Sequence, residues 1–123
     1  MTVDFDEALK LADRIAIMKD GIIEQMDRPA NIVLNTATEY VKKFTEEVPR
    51  EKVLKIEDVM DKPNNENLSD LKVLRNEIIE NVAEKILTQE KSISVIDENN
   101  QIVGTVHPSK IIHTVFGGKK NND

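Results

Sequence analysis

Asp4-Phe5-Asp6-Glu7-Ala8-Leu9-Lys10-Leu11-Ala12-Asp13-Arg14-Ile15-Ala16-Ile17-Met18-Lys19-Asp20-Gly21 reads as a short amphipathic helix, then a strand, then a tight turn. Phe5, Ala8, Leu9 and Ala12 fall at i, i+3, i+4 and i+7, one stripe of a helix. Asp4, Asp6 and Glu7 crowd its first turn, where carboxylates suit the free N–H groups and the helix dipole. Ile15 to Met18 is too short and too β-branched for a second helix. Asp20-Gly21 then joins it to Ile22-Ile23-Glu24-Gln25-Met26, a strong two-residue hairpin signal.

Further along, Pro29 occupies a first helical position, and Ile32 with Val33 forms a small apolar face stopped by Asn35. Thr36-Ala37-Thr38-Glu39 has the form of a capping box and predicts a second helix from Thr36. Its stripe is Ala37, Tyr40, Val41, Phe44 and Val48. Glu46 to Lys52 is a polar hinge containing Pro49. Val53 to Met60 carries one or two helical turns, with Ile56, Val59 and Met60 on one side. Asp61-Lys62-Pro63-Asn64-Asn65-Glu66-Asn67 is a loop.

Beyond it, Leu71 to Leu74 suits a strand or a helix equally. Ile79, Val82, Ala83 and Ile86, with Leu87 beside them, form a helix stripe. Ser92 to Ile96 alternates as a strand, Asp97-Glu98-Asn99-Asn100 turns, and Gln101 to Val106 returns. Pro108 opens a last helix with Ile111, Ile112, Val115 and Phe116, stopped by Gly117-Gly118. Lys119 to Asp123 is expected as a disordered tail. The fold class is α+β: a first lobe over 1–48, a linker with a short helix over 49–67, and a second lobe over 68–118.

Composition narrows the function. The 123 residues include 39% hydrophobic and 33% charged residues, enough for one ordinary domain or two very small ones. The net charge of −6 opposes a nucleic-acid partner, which needs a basic surface. With three Phe, one Tyr and no Trp there is little aromatic surface for stacking. The absence of cysteine excludes disulfide and thiolate chemistry. No run approaches a membrane span, and the acidic N-terminus does not resemble a signal peptide. His107 and His113 lie off the spacing of a helical metal pair and no metal site is expected.

The opening run resembles the segment of ABC-transporter ATPases that follows the catalytic switch histidine: Glu7-Ala8, a short helix, Arg14-Ile15-Ala16-Ile17-Met18, then Asp20-Gly21. Arg28-Pro29-Ala30-Asn31-Ile32-Val33-Leu34-Asn35 and Glu39-Tyr40-Val41-Lys42-Lys43-Phe44 continue it. Lys52-Val53-Leu54 and Glu57-Asp58-Val59-Met60 are similar to the ATP-binding subunit of glycine betaine/proline (quaternary amine) transporters in particular. The resemblance covers residues 2 to 60 well. It implies the C-terminal part of an ABC ATPase domain over 1–48. The parent family uses ATP and Mg to drive osmoprotectant import. It does so with a membrane subunit, from the cytoplasmic face of the cell membrane.

The catalytic parts of that family are missing from this stretch. There is no G-x-x-x-x-G-K-[ST] phosphate loop, and Val3 stands where the family has its switch histidine. No catalytic residue and no cofactor of its own are therefore expected. A chain that begins inside the ATPase domain would explain this, and so would a degenerate gene.

The second lobe resembles a single CBS motif, a small β-α-β-β-α unit. In nucleotide-binding members of that family the second strand of the hairpin ends in Gly-x-x-Thr/Ser, with an Asp three residues on that binds the ribose. Here the positions hold Gly104, His107 and Lys110. These are the candidate ligand residues, although an ammonium cannot accept the hydroxyl hydrogen bonds that a carboxylate accepts. Lys85, Lys91, Lys110, Lys119 and Lys120 are candidates for a salt-dependent membrane contact. A lone CBS motif predicts a homodimer, through the motif itself or through the exposed hairpin after Ile15. Two alternatives stand beside a regulatory or subunit-contact role in a transport ATPase. One is a free-standing dimeric module sensing an adenine nucleotide or cyclic dinucleotide. The other is an enzyme fragment completed by a partner chain.

Overall fold

Asp20 and Gly21 both take left-handed backbone, with φ of 54° and 81°, as the two central residues of the hairpin turn require. They join β1 (Ile15–Lys19) to β2 (Ile22–Asp27) as an antiparallel pair, with Ile15 opposite Asp27 and a bulge between Ile17 and Met18. The computed structural model describes residues 8–9, 11–64 and 67–117. Asp4, Asp6, Glu7 and Val3, and the tail 119–123, lie outside the described residues. The chain forms two compact units, Met1–Val53 and Leu54–Asp123.

In the first unit, α1 (Pro29–Leu34) starts on Pro29 and ends against Asn35. The Asp27 carboxylate accepts from Asn31 Nδ2 at 3.2 Å and from the Arg28 N–H at 2.8 Å, and these bonds hold its pKa below the usual value. α2 (Glu39–Thr45) and a short α3 (Arg50–Val53) follow. The inner face of the hairpin puts Ile17 on Ile32 and Val41, while Leu9, Val33, Val48 and Val53 form a second buried cluster. Ile15 touches both clusters. Leu9 thus faces inward, as the opening stripe predicts, and the Ala12 N–H bonds Ala8 O at 2.9 Å in helical fashion.

The second helix does not begin at Thr36. Its N-cap is Thr38, whose Oγ1 accepts the Val41 N–H at 3.2 Å. Gln25 of β2, twelve residues back, accepts the Ala37 N–H on its Oε1 at 2.8 Å and ties the residues before this cap to the hairpin. Phe44, placed in the stripe by spacing, is exposed and meets Tyr40 edge-to-face at 6.0 Å instead.

The second unit opens with the segment expected as linker. Leu54, Ile56 and Val59 are buried, and a 3₁₀ turn spans Ile56–Asp58. Its backbone is tied down by Ile79 N–H to Leu54 O, Ile56 N–H to Glu77 O and Glu57 N–H to Arg75 O, at 2.9, 3.0 and 2.9 Å. Arg75 Nε also meets Glu57 Oε1 at 2.9 Å. Residues 50–53 belong to the first unit and 54–62 to the second, so the span read as linker is divided between them.

The stretch that pattern left undecided is β3 (Leu68–Leu74), followed by α4 (Ile79–Leu87), β4 (Ser92–Ile96) and β5 (Ile102–Val106). The sheet order is β3-β4-β5, with β3 parallel and β5 antiparallel to β4. The helix between β3 and β4 supplies the crossover that a parallel pair needs. Val73, Val95 and Gly104 lie side by side across the sheet, and Val73, Val95, Ile93 and Val106 are buried with Ile79, Val82 and Ile86 of α4. The last helix, α5 (Pro108–Ile111), continues as a π turn over Ile112–Phe116. Its Ile111 and Val115 are buried, whereas Ile112 and Phe116 face outward.

Candidate functional site

Gly104, His107 and Lys110 come together at the end of β5 and the start of α5. A fourth residue joins them from the segment after the 3₁₀ turn, 49 residues from Lys110. Asp61 pairs with Thr105 in both directions, its N–H donating to Thr105 O at 2.8 Å and its carbonyl accepting the Thr105 N–H at 3.1 Å. Thr105 Oγ1 donates to Lys62 O at 3.2 Å. This short rail beside β5 brings the Asp61 carboxylate to Lys110, with Nζ to Oδ1 at 2.7 Å, both groups open to solvent.

Gly104 is dictated by the rail. A Cβ there would lie 2.6 Å from Met60 Sδ and 2.7 Å from Asp61 O, closer than real contacts allow. The glycine therefore answers a close backbone approach. His107 is the N-cap of α5: Nδ1 accepts the Ser109 N–H at 3.1 Å and lies 2.9 Å from Ser109 Oγ. Acceptance at Nδ1 puts the proton of the neutral ring on Nε2. Lys110 is occupied by Asp61, so it meets a carboxylate where a phosphate contact would need it free.

The donor set bears on the adenosine mode that the motif suggests. Position 110 offers donors only, and its nearest acceptor is the Asp61 carboxylate already engaged with it. The residues present do not fit ribose recognition by a carboxylate at that position. Among the described residues no group of three or more His, Cys, Asp or Glu side chains is placed to hold a metal ion. An open recess of about 350 Å³, lined by Ser69, Asp70, Gln89 and Lys91 among others, is polar and shallow. No described helix is long and apolar enough to cross a membrane.

Nothing in the local sequence around Asp61 marks it as part of this cluster. It lies 49 residues from Lys110, and only the rail pairing unites them.

No protein-family model matches the chain. Individual relatives do. The chain is 79% identical over 120 residues to the trimethylamine N-oxide transport system ATP-binding protein TmoW of Pelagibacter ubique, covering 98% of this chain and 35% of that protein. It is 35% identical over 117 residues to the glycine betaine/carnitine transport ATP-binding protein GbuA of Listeria monocytogenes, covering 90% of this chain and 27% of that one. It is 32% identical over 109 residues to the glycine betaine transport ATP-binding protein OpuAA of Bacillus subtilis, covering 89% and 25%. The chain spans about a quarter to a third of the length of these relatives. These matches run through both compact units, and the chain therefore belongs with the ATP-binding subunits of quaternary-amine ABC transporters, as a homologue of their C-terminal part.

Proposed function

We propose that this chain serves as the C-terminal portion of an ATP-binding subunit that powers import of trimethylamine N-oxide or a related methylated amine. The observation that carries this is the 79% identity to a trimethylamine N-oxide transport protein over 98% of the chain. Its role there is regulatory or one of subunit contact. The sequence holds no phosphate loop, so the chain alone does not turn over ATP; nucleotide and magnesium are held by other parts of the parent protein. The parent works at the cytoplasmic face of the cell membrane beside a membrane-spanning subunit.

The second unit is a CBS motif on this reading. Its order of strand, crossover helix, hairpin and closing helix, with a parallel then an antiparallel pair, supports that assignment. Its Gly104, His107 and Lys110 act as a structural corner, because Lys110 is paired with Asp61 and offers a nucleotide no acceptor. The sensing module remains the competing assignment, and saturable binding of an adenine nucleotide by the purified chain would favour it.

Disrupting the gene in cells that carry it, and measuring uptake of labelled trimethylamine N-oxide and of glycine betaine, tests the proposal. Loss of methylated-amine uptake, restored by the intact gene, is expected. Unchanged uptake of both solutes would overturn it.

A further inference from the structure

β3 stands at the edge of its sheet, and among the described residues no strand lies on its outer side. Open edges of this length invite a partner strand. We propose that β3 pairs antiparallel with β3 of a second copy of this chain, across a two-fold axis at Leu71. The argument is self-complementarity, and it stands whether or not the transport reading holds.

A two-fold pairing about Leu71 sets residue 70 opposite 72, and 68 opposite 74. Asp70 then faces Lys72 of the second copy, and Lys72 faces its Asp70, so two opposite-charge pairs form at once. Both side chains are exposed and neither makes an ion pair among the described residues. Leu68 faces Leu74, which is 40% exposed in the single chain and gains an apolar neighbour. The neighbouring registers are excluded by the same charges. A shift one way sets Asp70 opposite itself, and a shift the other way sets Lys72 opposite itself, and like charges directly opposite are repulsive. Intermediate shifts would put inward side chains against outward ones.

β3 slips against β4 between Leu68 and Lys72, which pair with Ser92 and Ser94. Between these pairs β3 advances four residues and β4 two, and the alternation the seam uses is carried by exposure: Asp70, Lys72 and Leu74 are exposed, with Leu71 half-buried and Val73 buried between them. Ser69 Oγ accepts the Leu71 N–H at 3.1 Å within the irregular stretch, leaving that donor satisfied. A single-strand seam is a small interface, below about 1,200 Å², and a weak dimer follows. Its charge pairs are exposed, so added salt weakens it.

Sedimentation equilibrium of the full 123-residue chain, up to millimolar concentration and at low and high salt, tests the seam. Asp70→Lys and Lys72→Asp are each expected to raise the dimer dissociation constant by about tenfold or more, and the double variant to return it to within about threefold. Circular dichroism of each variant checks that these exposed changes leave the fold intact. A chain that stays monomeric throughout would overturn the proposal, as would a dimer indifferent to both single changes or one not rescued by the double variant. So would a dimer lost on Ile102→Asp but not on Asp70→Lys, which would place the contact elsewhere on the sheet.

Discussion

Gly104 shows how one absent side chain can seat a whole segment. Met60 Sδ and Asp61 O occupy the space that a methyl group would take, at 2.6 and 2.7 Å from its position. The thioether end can swing aside, but the Asp61 carbonyl cannot retreat without loosening its bond to Thr105. Gly104→Ala is therefore expected to lower stability by about 1–3 kcal/mol, read from urea unfolding. An unchanged midpoint would mean that the rail is not seated as described. Lys110 belongs to the same corner with a different weight. Its pair with Asp61 is exposed on both sides, so it contributes little to stability although it is short. The glycine was legible in the sequence as a conspicuous position, but with a ligand-binding meaning borrowed from resemblance. Its steric meaning required Met60 and Asp61 to be found beside it.

At the scale of elements, α2 is the instructive case. Thr36-Ala37-Thr38-Glu39 satisfies the local grammar of a helix start at Thr36, yet the helix begins after Thr38. Thr38 Oγ1 takes the cap, accepting the Val41 N–H at 3.2 Å, and the residues just before it are held by Gln25. It accepts the Ala37 N–H at 2.8 Å and donates through Nε2 to Asn35 O at 3.1 Å, pinning the turn between α1 and α2 to β2. Gln25→Ala removes both bonds and is expected to cost about 1–2 kcal/mol, measured by chemical denaturation. The amide signals of Ala37 and Thr38 should shift with it. If stability and those signals are both unmoved, the glutamine is not the clamp. Elements with purely local causes are legible in the sequence: the Asp20-Gly21 turn, the Pro29 start of α1 and the α4 stripe. β3 is ambiguous in sequence because Leu71, Val73 and Leu74 around Lys72 fit either period, and only its ladder to β4 makes it a strand.

At the scale of the whole molecule, the first unit leaves apolar surface uncovered. Met18, Ile23 and Met26 are 53%, 49% and 50% exposed, and the cross-strand pairs Ala16–Met26 and Met18–Ile23 place them on one outer face of the hairpin. Such a patch binds a hydrophobic dye unless something covers it. Met18→Glu with Ile23→Lys is expected to reduce dye fluorescence several-fold while leaving circular dichroism unchanged. Equal fluorescence would show that the patch is already covered in solution. By itself, the sequence determined the mixed α and β character, the hairpin, the helix stripes and the kinship with quaternary-amine transport ATP-binding subunits, since periodicity, turn chemistry and identity all reside in neighbouring residues or aligned runs. Tertiary structure alone decided three things. It assigned Leu54 to Val59 to the second unit, moved the start of α2, and joined Asp61 to Gly104 and Lys110. The first and the third rest on bonds between residues far apart in the chain, Leu54 to Ile79 and Asp61 to Thr105, and the second on which of two nearby threonines takes the cap, and the local pattern of apolar and polar residues carries no record of either.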